Sequence, residues 1–497
     1  MKLLNFVAFL LCLISKLVIS EEVSPEFTKV WGPGLLPDLI VMPARYFFIQ
    51  AVDIKNETIE ESLPEGFNVK IEGLTELNKP CRIWVNNLDR KDGSYIIRYK
   101  MYEPCINMNI IIKYKDKHVS ESPYLIKNKV YSDDCNCPLK NVDNFIENWE
   151  CEDLPYFMSN KISNFGDIDW DTTRDKLIQK FNQPLAVSIC QYIIKNNEIY
   201  RKCYGKYVGF SMFMDSILKS LVRKVKLPDL EFFVNLGDWP LSSFDFPEKY
   251  PILSWCGSKS SYDIVMPTYD ITESSLENMG RVMLDMLSVQ GNTLEKFENR
   301  IPKLFWRGRD SNRHRLDLIL MSREHPELFN ASLTNFFFYR DEEHIYGPKT
   351  EHVSFFRFFD YKYQIAIDGT VASYRLPYLL AGGSLLFKQD SMYHEHFYHQ
   401  LEPNYHYVPV KKDLSNLLEK LKWAMENEEK ALKIAKNGQK FANENLLPHN
   451  IFCYYINLLK ELKEVTKSPV RIFEGMERVN QTKTQDCKCT DNIKDEL

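Results

Sequence analysis

Apolar and polar residues alternate with the period of a β-strand through the first part of the chain, from about residue 24 to 130. A β-branched and aromatic run covers 45–52, and Phe67, Val69 and Ile71 alternate with polar neighbours. Asp92-Gly93 marks a turn before another such run. About seven short strands in roughly 105 residues predict an all-β immunoglobulin-like sandwich.

From about 139 to 470 helical segments alternate with short apolar strands. We predict strands at 230–236, 303–306, 363–367 and 384–387, and helices at 171–181 and 371–380. Leu414, Leu417, Leu418 and Leu421 share one face of a further predicted helix. The order strand, helix, strand at 363–387 predicts a parallel sheet and an α/β unit. The polar segment 133–138 separates the two units.

Composition fits a folded chain of several domains. The 497 residues are 44% hydrophobic and 26% charged, which excludes a disordered protein. A net charge of −5 and a pI of 6.1 argue against a basic nucleic-acid binder. A mean hydropathy of −0.35 argues against a protein with many membrane spans.

The two ends of the chain predict its location. Residues 1–20 have a positive start, an apolar stretch and small residues at Val18 and Ser20, as in a cleaved signal peptide. The last four residues, 494–497, are KDEL, which a receptor reads to retain proteins in the endoplasmic reticulum. Together they predict residence in the lumen of the endoplasmic reticulum, with the KDEL receptor as a partner. Predicted glycosylation sites are Asn56, Asn330 and Asn480.

Removal of the predicted signal peptide would change both the net charge and the number of cysteines. Removal of 1–20 leaves a net charge of −7 and an odd number of cysteines, so at least one thiol has no partner within the chain. The spacing of Cys135 and Cys137 does not suit zinc, and an oxidising lumen favours disulfide bonds for them.

Candidate chemistry lies after the predicted strands, where open parallel sheets bind ligands. Asp238 follows an apolar strand and precedes Trp239, although Asp after Gly237 is even more typical of a plain turn. Four arginines follow the next strand, which suits a diphosphate as well as it suits a solvated loop. They are Arg307, Arg309, Arg313 and Arg315.

A third cluster combines small residues with a predicted helix start and could offer N–H groups to an anion, or form an ordinary turn. It comprises Gly369, Thr370, Val371, Ala372, Ser373, Tyr374 and Arg375. Three such clusters at successive strand ends favour a nucleotide-diphosphate site more strongly than any one of the clusters does alone.

Other motifs point to alternative chemistries that the sequence favours less. No P-loop, G-x-G-x-x-G or G-x-S-x-G motif occurs. The spacing of His394, Glu395, His396 and His399 does not match H-E-x-x-H, so we predict a surface cluster and no metal there. The acidic pairs at 167–171 precede a helix, where Asp caps exposed N–H groups, and we favour the cap over a metal site.

The first unit resembles a filamin-type repeat, through Asp92-Gly93-Ser94-Tyr95, Tyr99 and the segment 118–124. The second resembles the protein O-glucosyltransferases of glycosyltransferase family 90, and with the KDEL ending it is similar to the KDEL motif-containing branch. The motifs that carry this resemblance are 235–240 (NLGDWP), 254–258 (SWCGS), 266–270 (MPTYD), 306–311 (WRGRDS) and 368–378 (DGTVASYRLPY).

The resemblance implies domains at 24–130 (filamin-type sandwich) and 139–470 (a GT-B glycosyltransferase with two Rossmann-like halves), then a tail at 471–497. It implies UDP-glucose as donor, no metal or other cofactor, and serine hydroxyls of EGF-like repeats, of the Notch or fibrillin type, as acceptors. Alternatives left open are a UDP-xylose-dependent O-xylosyltransferase and a client-binding protein without catalysis.

The resemblance also implies residue roles. Asp238 would be the catalytic base, and Arg315 and Arg375 would bind the donor together with Arg307, Arg309 and residues 369–374. Arg309 stands where another branch of the family, that of the Notch-modifying Rumi protein (the Rumi branch), has Ser. On the acceptor side the candidates are Tyr204, Trp239, Pro267, Tyr269 and Asp270.

Cysteine pairing is likewise implied only by this resemblance. The Rumi branch has a Cys pair of which Cys203 remains here while Gly209 occupies the second position, so that bridge is expected to be absent. By the same analogy Cys453 is expected to bridge to Cys135 or Cys137.

Overall fold

The computed structural model describes residues 22–184, 189–278, 284–293, 295–481 and 487–489. These form two compact units, 22–37 with 45–130, and 38–44 with the described residues from 131 onward. The predicted signal peptide at 1–20 and the KDEL sequence at 494–497 lie outside the described residues. Among those described, no helix is both long and apolar enough to cross a membrane.

The first unit is a β-sandwich, as predicted. One sheet has the order β1-β2-β5-β4, and in the other β6 pairs with β3, β7 and β8. The strands are β1 (Lys29–Trp31), β2 (Arg45–Gln50), β3 (Asn68–Leu74), β4 (Ile83–Asp89), β5 (Ser94–Met101), β6 (Ile106–Tyr114), β7 (Lys117–His118) and β8 (Tyr124–Ile126).

Residues of the motifs that suggested this unit, and one disulfide bond, have clear structural roles. Gly93 has φ +76°, and a Cβ there would lie 1.8 Å from the carbonyl oxygen of Ile59, so only glycine fits. The Tyr99 hydroxyl donates to the carbonyl of Gly34 across 2.5 Å. A disulfide bond joins Cys81 to Cys105. Inward-facing residues of both sheets form one apolar core.

The second unit contains two larger sheets. The first α/β half has the mixed order β14-β12-β11-β9-β10-β21, and the second has the order β16-β15-β17-β18-β20, all parallel. Strands of the first half are β9 (Ile189–Lys195), β10 (Glu198–Tyr204), β11 (Leu230–Asn235), β12 (Ile252–Ser254), β14 (Ile264–Val265) and β21 (Glu477–Arg478). Strands of the second half are β15 (Ile301–Arg309), β16 (Phe329–Asn335), β17 (Tyr361–Ala366), β18 (Leu385–Gln389) and β20 (Val408–Val410).

A small antiparallel pair, β13 (Gly257–Ser258) with β19 (Tyr393–His394), connects the two halves.

The helices of this unit are α1 (Val142–Asn148), α2 (Tyr156–Ser163), α3 (Trp170–Phe181), α4 (Ser211–Lys224), α5 (Tyr269–Ser275), α6 (Met286–Gly291), α7 (Arg313–Glu324), α8 (Glu343–Tyr346), α9 (Leu376–Ala381), α10 (Leu417–Glu426), α11 (Glu428–Asn445) and α12 (Pro448–Val465). Short 3₁₀ helices occur at Pro33–Leu35, Phe297–Asn299, Arg340–Glu342, Phe355–Asp360 and Tyr398–Gln400. Two sheets with flanking helices confirm the predicted GT-B class.

The last long helix returns to the first half. On α12 the Tyr454 hydroxyl donates to the carbonyl of Val265 at 2.7 Å, and the Tyr455 hydroxyl donates to the carbonyl of Pro267 at 3.1 Å. The tail continues this return, because β21 pairs antiparallel with β10. Residues from 448 onward therefore complete the sheet and helix layer that the chain began before residue 280.

Two predicted helices start later than expected. The helix predicted at 371–380 begins at Leu376, because the ring of Pro377 prevents the helix from extending far toward its N-terminus. Residues 369–375 form an irregular loop, in which the Gly369 N–H donates to the carbonyl of Val371. Likewise Leu414, with φ +60°, lies before α10 and is not part of it.

Candidate functional site

The carboxyl end of β11 holds Asp238 in a tight turn. The buried side chain of Asn235 accepts from the N–H of Gly237 at 2.9 Å and donates to the carbonyl of Trp239 at 2.7 Å. Asp238 is partly buried, and its carboxylate makes no hydrogen bond to any described residue. Burial raises the pKa of Asp238, and the Arg309 guanidinium opposes that rise. The carboxylate is therefore free to act on a bound group.

Asp270 lies beside it, at the start of α5 and just beyond β14. Burial raises the pKa of Asp270 to about 6; Arg375 lowers it and the negative charge of Asp238 adds to it. Its neighbour Tyr269 stacks on Phe213 with the ring centroids 5.0 Å apart and meets Tyr374 edge-on at 5.6 Å. The first half thus contributes two neighbouring carboxylates and an aromatic wall.

Arg315 is fixed at the facing end of the second half by main-chain carbonyls. Its guanidinium donates to the carbonyl of Asp368 at 2.8 Å, of Arg309 at 3.0 Å and of Ile367 at 3.3 Å. Burial, with the nearby charge of Arg375, lowers the pKa of Arg315 to about 9. A Cβ at Gly369 would lie 2.9 Å from this guanidinium, so glycine permits the close approach.

Arg375 and Arg309 complete a cationic group. The Arg375 guanidinium donates to the carbonyl of Arg307, and burial lowers the pKa of Arg375, as does the charge of Arg309. The Arg309 side chain is exposed and makes no hydrogen bond or ion pair within the described parts of the chain. The charge of Arg309 disfavours that of Arg375, and both charges disfavour that of Arg315, so an anion would stabilise this group of three guanidinium groups.

The loop 369–375 shapes this site more by packing than by offering N–H groups from a helix. Val371 and Ala372 are buried against Cys256. Tyr374 is mostly buried, and burial raises its pKa well above the usual value. Thr370 is half-buried and Ser373 is buried. The predicted helix N-terminus is not at this position, since α9 starts only at Leu376.

Several candidate residues lie elsewhere or contribute only their main chain. The Arg307 side chain turns to Asn330, whose side-chain oxygen accepts at 2.8 Å, so Arg307 offers the site its carbonyl. The Tyr204 hydroxyl donates to Gln191 at 3.3 Å within an apolar cluster around α3. Pro267 is buried beneath α12. Arg313 forms an exposed ion pair with Glu342 at 2.6 Å.

Comparison with known proteins decides the family. The model for glycosyl transferase family 90 matches residues 148–497, and the model for the filamin/ABP280 repeat matches residues 22–125. The chain belongs to glycosyl transferase family 90. It is 48% identical to protein O-glucosyltransferase 2 of Danio rerio over 95% of each chain. It is 45% identical to protein O-glucosyltransferase 3 of Homo sapiens, over 94% of this chain and 93% of that one.

A third relative matches a smaller share of the chain. Protein O-glucosyltransferase 1 of Homo sapiens is 27% identical over 58% of this chain and 75% of that one. The predicted family and the filamin-type front unit are therefore both confirmed. The protein is a glycosyltransferase with an additional β-sandwich.

Sequence reasoning missed the support beneath the arginines of this family 90 enzyme. Asp368 holds Arg315 through its carbonyl, and its carboxylate accepts from the Ser391 hydroxyl at 2.5 Å. Asp310 does not pair with an arginine, because its carboxylate accepts from the N–H groups of Phe337, Phe338 and Tyr339. The position of Asp368 directly before Gly369, at a strand end, was the signal that could have revealed it.

The prediction of a surface histidine cluster in this glycosyltransferase is wrong for Glu395 and His396, whereas His399 is exposed. Glu395 and His396 are buried, because β19 pairs with β13 and His396 packs on Tyr454 at 5.0 Å. Burial lowers the pKa values of His394 and His396 to about 3. Among the described residues, no three His, Cys, Asp or Glu side chains are grouped to hold a metal ion. Asp169 caps α3 by accepting from the N–H of Asp171, as predicted.

Disulfide bonds differ from the expected pairs. Cys453 bonds to Cys151, and the expected bridge to Cys135 or Cys137 is wrong because those two are taken by the tail. Cys203 bonds to Cys190 across the β9–β10 hairpin, so it has a partner although Gly209 offers none. The remaining bonds of this unit are Cys135–Cys487 and Cys137–Cys489. The predicted unpaired thiol is Cys256, which is buried.

The three predicted glycosylation sites of this enzyme lie in different surroundings. Asn56 is exposed in a turn with φ +65°, and Asn480 is exposed, while the Thr482 of its sequon lies outside the described residues. Asn330 is half-buried on β16, and its amide nitrogen donates to the Tyr361 hydroxyl at 2.8 Å. Attachment of a glycan at Asn330 would replace one of the two hydrogens on this half-buried nitrogen.

Proposed function

We propose that this protein transfers glucose from UDP-glucose to serine hydroxyls of EGF-like repeats, of the Notch or fibrillin type, in the lumen of the endoplasmic reticulum. Two relatives that match nearly the full chain carry the name protein O-glucosyltransferase. The observation that supports the chemistry is that Asp238, free of hydrogen bonds to described residues, lies within electrostatic reach of Arg309, while its neighbour Asp270 faces Arg375.

The arginine side suits the leaving group. As the bond between glucose and UDP breaks, negative charge grows on the diphosphate, and fixed cations in a partly dry site stabilise that charge strongly. Arg315 and Arg375 are held in place by main-chain carbonyls before any donor arrives. Little reorganisation is then needed at the moment of reaction. Arg309 is exposed and adds a third, movable cation.

The carboxylate side suits the acceptor. A serine hydroxyl is a weak nucleophile at neutral pH, so a base must remove its proton as the new bond forms. In the proposed step the serine oxygen bonds to the anomeric carbon of glucose, the bond to the UDP oxygen breaks, and Asp238 receives the proton. Attack from the face opposite UDP inverts an α-linked donor to a β-glucoside. Tyr269 and the 48% exposed Trp239 would line the approach of the acceptor.

No metal ion or other cofactor is part of this proposal. The diphosphate charge is assigned to Arg309, Arg315 and Arg375. Retention in the lumen would depend on recognition of residues 494–497 by the KDEL receptor. The oxidised cysteine pairs are compatible with such a compartment.

The decisive experiment incubates the full chain with a folded EGF-like repeat and either UDP-glucose or UDP-xylose, with and without EDTA. Mass spectrometry of the repeat reports the added sugar, and UDP release reports turnover. We expect addition of a hexose to one serine and full activity with EDTA. Preference for a pentose would support the xylosyltransferase alternative, and donor-independent binding of the repeat without UDP release would support the non-catalytic one.

A further inference from the structure

A cavity of about 570 Å³ lies in the second unit, apart from the carboxylates and arginines described above. It is bounded by α2, by the segment around β13 and by the carboxyl end of β18. Its lining includes Phe157, Lys161, Tyr262, Lys388 and Tyr398. Neither Asp238 nor any of the three site arginines contributes to it. Its size suits a small-molecule ligand.

Two ammonium groups of this cavity have no anionic partner. Lys161 and Lys388 are each mostly shielded from solvent, and neither forms a hydrogen bond or ion pair with a described residue. Burial lowers the pKa of Lys161 to about 8, and it also lowers the pKa of Lys388. Both charges, with that of Lys259, also depress the pKa of His394, so all three lysines converge on the same region.

The carboxylates near these lysines already have other partners. Asp263 accepts from the N–H groups of Leu241 and Ser242, both at 2.8 Å, and from the Ser254 hydroxyl. Asp390 pairs with Lys259 at 3.3 Å where both side chains are largely exposed. Burial holds the pKa of Glu395 well above its usual value, which favours its neutral form. Asp368 accepts from Ser391. None of these carboxylates forms an ion pair with Lys161 or Lys388, although Asp263 lies within electrostatic reach of Lys161 and Asp368 and Asp390 within reach of Lys388.

Aromatic rings form the rest of the walls. Phe157 stacks on His399 with the ring centroids 5.0 Å apart, and Phe244 packs on Tyr262 at 4.4 Å. The Lys388 ammonium lies 4.4 Å from the centroid of Tyr398. A cavity with flat apolar walls and convergent cations suits a ligand that joins an anionic group to an apolar or planar group.

We propose that this cavity binds a phosphate-bearing small molecule, with Lys161 and Lys388 on the phosphate oxygens and the aromatic walls against the remainder. Ser391 lines the cavity, and its hydroxyl donates to the carboxylate of Asp368, whose carbonyl holds Arg315. A ligand in the cavity would therefore lie next to a side chain that supports the arginine site. The phosphate could belong to a nucleotide or be free inorganic phosphate. This inference concerns binding and does not depend on the transfer reaction.

The test is calorimetric titration of the full chain with UDP and, separately, with inorganic phosphate. The K161Q/K388Q double variant removes both cations, and K422Q removes an exposed lysine of α10 as a matched control. Loss of two charge-assisted contacts is expected to weaken phosphate binding at least about tenfold, while K422Q binds like the wild type. Lys161→Arg, which keeps the charge, is expected to retain affinity and guards against loss through misfolding.

An Arg375→Met background separates this cavity from the arginine site. Phosphate binding that persists in Arg375→Met and disappears when K161Q/K388Q is added supports the cavity. If UDP also weakens in the double variant and phosphate competes with it, the phosphate comes from a nucleotide. If UDP is unaffected, the cavity takes free phosphate. Wild-type affinity of the double variant for both ligands, or no binding by the wild type, overturns the proposal.

Discussion

The two α/β halves differ in how their sheets are built and in which charged side chains they contribute to the candidate site. The first half has a mixed sheet, and disulfide bonds secure its hairpin, its first helices and its tail. The second half has an all-parallel sheet, and no cysteine occurs between residues 257 and 452. Carboxylates come from the first half and guanidinium groups from the second. The proposed base and the cations thus lie on separately constructed supports.

The charged side chains of the two halves are held by different means. Arg315 and Arg375 are fixed by several main-chain carbonyls and are ready for an anion. Asp238 is held only through its turn, and its carboxylate is left without a hydrogen bond to described residues. Removing one group from each half should therefore have different kinetic signatures.

The largest expected effect comes from the first half. Asp238→Asn removes the proposed base but keeps the shape of the side chain, so transfer to a folded repeat should fall by about a thousandfold. Binding of UDP, measured by calorimetry, should stay within about twofold because the arginines are untouched. Asp245→Asn, an exposed aspartate a few residues away, is the control and should keep full activity. Near-normal transfer by Asp238→Asn would remove it from the mechanism.

A smaller but still large effect is expected from the second half. Arg375→Met removes a fixed guanidinium, so both UDP affinity and kcat/KM should fall by roughly tenfold to a hundredfold. The surface arginine Arg313, which pairs with Glu342, provides the control in Arg313→Met. If Arg375→Met bound UDP like the wild type, the second half would not be the donor side.

The pH dependence tests the electrostatic link between the halves. Asp238 must be ionised to act, and its raised pKa places the acidic limb of kcat/KM above that of an ordinary aspartate. Arg309→Ser removes a cation that favours ionisation, so the limb should move to higher pH. Asp270→Asn removes a neighbouring negative charge, so the limb should move to lower pH, each by about one unit or less. Shifts in the same direction would contradict the arrangement.

The smallest effect on catalysis should come from the disulfide bond of the edge hairpin. Cys190→Ser with Cys203→Ser should lower the free energy of unfolding by about 2–3 kcal/mol, since the bond closes a short loop in the unfolded chain. Activity at low temperature should change by less than about twofold. Hydrogen exchange should increase in the first half and stay unchanged in β15 to β18. Equal loosening of both sheets would show that they are not separately supported.

Local patterns predicted much of this fold because the signals were short-range. The buried strand at 230–236, the turn at Gly93 and the cap at Asp169 each depend on neighbouring residues. The predicted start of α9 is too early because the apolar pattern extends upstream of Leu376, where Pro377 limits the helix. Pairings such as Cys151–Cys453 depend on the path of α12 back to the first half, which no local pattern encodes.

Local sequence patterns are limited in the same way in predicting the candidate site. Arg307 and Arg309 are two positions apart on one strand, yet the first turns to Asn330 while the second faces Asp238. Asn330 on the parallel neighbour β16 binds the Arg307 guanidinium, and the register between β15 and β16 shifts between Gly308 and Arg309. Which arginine remains available to a ligand is therefore decided by a pairing between strands far apart in sequence.

The return of α12 and the tail to the first half has a consequence for how the protein is made. While the chain is being synthesised, the layer that packs Val265 and Pro267 against Tyr454 and Tyr455 is missing its outer helix. The partners of Cys135, Cys137 and Cys151 emerge only after the whole second half has been translated. The first half, although it begins earlier in the chain, is therefore completed only after the second half has been synthesised.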